Sequence, residues 1–173
     1  MALDTYTLFA AQYAVEEDAL TDYEAVRSMY KDLGVIDTYD AAVISKDRDG
    51  KVRIVKHVEE PTRHGAVAGL AVGIAVGALV ALFPAVALGA GLAVGGVAGA
   101  AVGATAGHVA RGMSRSDLED LGEFLDAGTS GLVVVAATDM EDRVEAAITQ
   151  DKDIMKKQVQ LDADGLKEEI DSL

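Results

Sequence analysis

HGAVAGLAVGIAVGALVALFPAVALGAGLAVGGVAGAAVGATAGHVA, residues 64–110, is the stretch on which the reading of this chain turns. Its 47 residues include no Asp, Glu, Lys or Arg, and glycine paces it at every fourth position. One ladder runs Gly65, Gly69, Gly73 and Gly77; a second runs Gly91, Gly95, Gly99, Gly103 and Gly107. Residues four apart share one side of an α-helix, so each ladder makes a groove without side chains, where another helix backbone can approach closely. Glycine costs about 1 kcal/mol relative to alanine inside a helix, so its repetition there predicts a packing partner that returns the loss.

Phe83 and Pro84 separate the ladders. Proline ends one helix and suits the first turn of the next, which predicts a helical hairpin with these two residues at its apex. Arg63 and His64 then meet His108 and Arg111 at the open end. A leg of about 20 residues is roughly 30 Å long, the thickness of the hydrocarbon core of a bilayer. Arg63, Arg111 and Arg115 at the open end suit a polar remainder on the cytoplasmic side. Against insertion, Ala and Gly are weakly apolar and Phe83 is the stretch's one aromatic residue, so burial within a soluble oligomer stays open beside it.

All of the formal charge of −14 lies outside this stretch. Residues 1–63 carry 13 acidic and 8 basic side chains, and residues 111–173 carry 16 and 7. This balance argues against a nucleic-acid partner, whose phosphates need a basic face. It equally argues against attraction to anionic lipid, so membrane affinity must be hydrophobic. The chain has no cysteine, which excludes disulfides, thiolate metal sites and cysteine nucleophiles. The first five residues lack the basic and apolar regions of a secretory signal, so the expected location is inner-membrane-associated with the polar part cytoplasmic, or else cytoplasmic.

A mostly apolar run from Thr5 to Ala10 reads as a first strand. From Glu16 to Leu33, Leu20, Tyr23, Val26, Tyr30 and Leu33 recur at helical spacing, with acids in the first turn and Gly34 as the C-terminal cap. Asp40 to Lys46 and Lys51 to Val58 read as strands joined by Asp47-Arg48-Asp49-Gly50, where glycine supplies a positive φ. Ser114 caps an amphipathic helix to Leu125. Gly131 to Ala137 reads as a central strand. Asp139 to Val159 reads as a further amphipathic helix through Val144, Ala147, Ile148, Met155 and Val159.

The expected fold is therefore α+β and ferredoxin-like, β-α-β-β, an inserted glycine-zipper hairpin, then α-β and a C-terminal helix. It divides the chain into residues 1–63 and 111–160 as two parts of one domain, 64–110 as the hairpin, and 161–173 as an acidic tail. With helices on one face of the sheet, the other face is left open for a second copy or a ligand.

Asp40-Ala41-Ala42-Val43-Ile44, Asp47 to Lys51, the two ladders, and Ser114-Arg115-Ser116-Asp117-Leu118 leading into Leu132-Val133-Val134-Val135 form a pattern. Over roughly Thr5 to Ile148, this pattern resembles the bacterial domain-of-unknown-function 1269 family and the related general-stress and heat-induced proteins. The resemblance implies a non-enzymatic, stress-associated protein often described as a membrane protein, with no catalytic residues to carry over. On this reading the helix and tail after Ala147 are particular to this chain.

Motifs of catalysis and metal binding fall short. His64 and His108 make a poor metal site without a placed carboxylate and read as polar caps. Asp47-Arg48-Asp49-Gly50 and Asp162-Ala163-Asp164-Gly165 begin like calcium loops but lack the later ligands, so they read as turns. Gly89 and Gly91 are followed by Val94 where a dinucleotide fingerprint needs glycine. The expectation is a non-enzymatic protein without cofactor or metal, whose partners are copies of itself and membrane lipid. Its alternatives are a soluble homo-oligomer with hairpins bundled in an apolar core, or a small-molecule sensor using the open sheet face.

Overall fold

The computed structural model describes residues 4–35, 39–57, 74–82, 87–88, 106–162, 164–165, 168 and 172. Its elements are β1 (Asp4–Tyr13), α1 (Glu16–Asp32), β2 (Tyr39–Lys46), β3 (Val52–His57), α2 (Ile74–Leu82), β4 (Ala87–Leu88), α3 (Arg115–Ala127), β5 (Ser130–Ala137), α4 (Glu141–Ala147) and β6 (Asp153–Leu161), with residues 106–112 also helical. The α+β class expected from the sequence is present.

Local chemistry sets the early boundaries. Glu16, Glu17 and Asp18 lie at the positive end of α1. At its other end Gly34 adopts φ 72°. The Gly34 N–H donates to the Lys31 carbonyl at 3.0 Å and Val35 N–H to that of Tyr30 at 3.1 Å, the paired bonds of a Schellman stop. In the β2–β3 turn, Asp47 Oδ1 accepts the N–H groups of Asp49 and Lys51, both at 2.9 Å, and Gly50 takes φ 77°. Ser114 Oγ accepts the Asp117 N–H at 3.1 Å and starts α3.

Five strands lie antiparallel in the order β3-β2-β5-β1-β6, and two-residue β4 adds in parallel to the outer edge of β3. β1 and β2 run parallel with β5 between them; β5 and β6 run parallel with β1 between them. This differs from the expected set of four strands, because β3 stays outside β2 and the position beside β1 goes to β6.

β6 replaces the second half of the helix expected from Asp139 to Val159. α4 stops at Ile148, whose backbone is extended. The Asp22 carboxylate takes the N–H groups of Thr149 and Gln150 at 3.0 and 2.8 Å, and Lys152 N–H donates to the Gln12 carbonyl at 2.8 Å, which brings the chain alongside β1. Met155 and Val159 suit either period, but the buried pair Val159 and Leu161, two apart, follows the strand.

Both faces of the sheet are covered, which corrects the expectation of an open one. On one side, α1 and α4 pack over Phe9, Ala11, Tyr13, Val43, Leu132 and Val134. On the other, α2, Val109, Met113 and α3 cover Leu8, Ala10, Ile44, Val133, Val135 and Val159. The apolar stretch itself therefore supplies part of the second core layer. Its second leg also departs from the hairpin reading where it is described, since Ala87 and Leu88 pair with Arg53 and Ile54 as strand rather than helix. β3 has an edge free to accept that pairing, whereas the glycine-rich run beyond has low helix propensity.

Candidate functional site

The region that the sequence singles out is met in the structure as the seat of α2. This helix, IAVGALVAL, has no charged residue. Ala75, Val76, Ala78 and Leu79 are buried against the sheet and α3. Among its ladder positions Gly77 is helical and within α2. Gly107 lies in the helical segment 106–112, where an added Cβ meets only Arg111 Nη1 at 3.6 Å, so no backbone abuts this rung among the described residues. Gly65, Gly69, Gly73, Gly91, Gly95, Gly99, Gly103, Phe83 and Pro84 lie outside the described residues, as do Arg63 and His64.

Of the open-end residues, His108 and Arg111 are together on one helix face. The guanidinium donates to His108 Nδ1 at 2.9 Å, because arginine has no acceptor to offer. A close glycine approach does occur nearby, at Gly112: a Cβ there would overlap the Gln160 carbonyl oxygen of β6. No repeat marks this residue, and its neighbour Gly107 draws the eye instead.

Two buried carboxylates that sequence reasoning passed over organise the fold around this seat. Asp40 is 3% exposed on β2. Its Oδ2 accepts the Ala75 N–H at the start of α2 at 2.8 Å, and its Oδ1 accepts the Ala41 N–H at 2.9 Å. Asp22, fully buried on α1, accepts from Tyr13 Oη at 2.9 Å as well as from the turn before β6. Signals existed for both. Asp22 is four residues before Val26 on the apolar stripe of α1, and Asp40 interrupts a strand of apolar neighbours.

The tyrosines are held protonated by the same packing. Burial, reinforced by the charge of Asp22, pushes the Tyr13 phenol well up, and burial does the same to Tyr30. Tyr6 is pushed up to about 12, again by burial first and by Asp4 second. Tyr30 stacks on Tyr39 with ring centres 4.1 Å apart. At the far edge of the sheet, Lys157 of β6 bridges Asp117 at 2.8 Å and Asp120 at 3.3 Å on α3. The lysine and Ser114 hold the Asp117 carboxyl below its ordinary range.

The loops with an initial calcium-like pattern are turns. Asp47 folds onto its own backbone as described above, and Asp162 Oδ1 accepts the Gly165 N–H at 2.9 Å. Among the described residues no group of three or more His, Asp or Glu is arranged to hold a metal ion, and no helix is long and apolar enough to cross a membrane.

A family model described as "Protein of unknown function (DUF1269)" matches residues 66–171. The match begins in the glycine-paced stretch and runs through β6, so the segment after Ala147 is shared with that model and is not particular to this chain. No curated protein and no solved structure matches.

Proposed function

The chain belongs to the DUF1269 family, and from that premise we propose that it is a non-enzymatic, membrane-associated protein that assembles with copies of itself through the stretch 64–110. The observation that carries this reading is the pair of glycine ladders within 47 residues free of Asp, Glu, Lys and Arg. Such a surface suits lipid and close helix packing, and nothing in it suits catalysis. The buried carboxylates support a structural role, since backbone N–H groups occupy both Asp22 and Asp40. We place the α+β part on the cytoplasmic side of the inner membrane, and take a stress-associated role as part of the same proposal.

The fold reading that goes with it is ferredoxin-like, but with β1, β2, β5 and β6 as the four strands and α1 and α4 as the two crossover helices. The run from β3 to α3 is then an insertion between the second and third strands. A soluble homo-oligomer is the rival, favoured by the packing of α2 on its own sheet. The covered sheet face weighs against the sensor reading.

Flotation of the untagged protein with its native membranes, followed by alkaline carbonate, separates the first two. Lipid-bound, carbonate-resistant protein is expected; protein that stays in the dense fractions would transfer the proposal to the soluble assembly. Cross-linking of a variant with Gly73→Leu and Gly99→Leu is expected to yield smaller species, and an unchanged oligomer size would remove the ladders from the mechanism.

A further inference from the structure

We propose that Asp40 is a latch that holds α2 on the sheet, and that opening it frees α2 for a lipid surface. The first half stands on geometry alone; the second rests on the membrane reading above.

A carboxylate buried in a strand is unfavourable unless its oxygens are hydrogen-bonded. Asp40 sits opposite Val135 in the sheet, and one of its oxygens spends its bond on α2. The N–H it accepts belongs to Ala75, the second residue of α2, at the end of the helix where the dipole is positive. α2 offers no acid of its own in its first turn. Its cap therefore comes from a strand 35 residues earlier in the chain.

The rest of the described seat is apolar. Among the α2 side chains described as buried there, Ala75 and Ala78 are alanines, and the helix sequence has no charged or polar side chain to form a second bond. This charge-assisted hydrogen bond therefore fixes where α2 begins on the sheet, a direction that apolar packing does not supply, and such bonds exceed neutral ones in strength. Once detached, the helix is apolar all round, the composition a lipid surface accepts.

The test uses the full chain and two variants, Asp40→Ala and Asp40→Asn, the second retaining one acceptor oxygen in case the first fails to fold. Hydrogen exchange read by mass spectrometry is expected to speed up on the order of tenfold across α2 in Asp40→Ala, and less in Asp40→Asn, with α1 unchanged. Flotation with phosphatidylcholine vesicles is expected to rise in the same order. Unchanged exchange in α2, or equal acceleration in α1 and α2, overturns the latch. Faster exchange in α2 alone with no gain in vesicle binding leaves the latch standing and overturns its link to lipid.

Discussion

At the scale of single residues, Asp22 joins otherwise separate parts of the chain. Its carboxylate ties the end of β1, through Tyr13, to the turn that redirects the chain from α4 into β6. Removing it leaves a buried phenol and two backbone donors without their acceptor, and each such orphan costs about 1 to 3 kcal/mol. Asp22→Ala is therefore expected to lower unfolding stability by roughly 3 kcal/mol, in the range reserved for broken buried networks. Tyr13→Phe removes one donor and leaves the turn bonds in place, so its expected cost is about 1 kcal/mol. Urea unfolding of the two variants and their double mutant checks this. Equal losses in both single variants would mean that the turn bonds contribute nothing.

At the scale of elements, the attachment of β6 to α3 and the buried tyrosines give stability a definite pH window. Asp117 is depressed below its ordinary value of 3.8, first by the Lys157 hydrogen bond, so its contribution is present above that value and is lost as pH falls through its folded pKa. Lys157 is raised above its ordinary 10.5 by the same bond, so its contribution is present below 10.5 and is lost as pH rises through its folded pKa. Tyr6, Tyr13 and Tyr30 are raised from 10.0; above pH 10 the unfolded chain ionises them while the folded chain resists, so stability falls. The urea midpoint is expected to stay level between the carboxylate and tyrosine ranges and to drop above pH 10, with tyrosinate absorbance appearing together with unfolding. Tyrosinate that appears while the fold persists would contradict the burial. The same elements mark how much the sequence told. α1 with Gly34, the β2–β3 turn, the Ser114 cap and β5 were legible because each rests on a local rule: a positive φ, a cap, or a short apolar period. The β6 strand was not legible, because Met155 and Val159 satisfy helical spacing and the decision falls to Asp22, more than 100 residues away. The covering of the second sheet face was hidden for a related reason. A stretch apolar all round declares that it is buried but does not name its partner, and the glycine ladders point to another chain rather than to this one's own sheet.

At the scale of the whole molecule, the described part of the stretch 64–110 is a structural layer, and the stretch is also the proposed membrane element; these two roles compete. Docked α2 buries Val76 and Leu79 along with two alanines, while Val109 covers the same face. Fully burying a side chain of Val or Leu size is worth about 1.5 to 3 kcal/mol, so this layer contributes on the order of 5 kcal/mol. A small domain has only about 5 to 15 kcal/mol in total. Deleting 64–110 and joining Arg63 to Arg111 is thus expected to leave a chain that melts at a markedly lower temperature or binds a hydrophobic dye before heating, not a trimmed domain of native stability. The same figure sets what a bilayer must return when α2 leaves its seat, and apolar transfer of a nine-residue helix into lipid is of the size required. Thermal unfolding of the deletion variant decides between a layer and an appendage. An unchanged melting temperature would mean that the sheet face does not depend on the stretch, and release of α2 would then need no latch to oppose it.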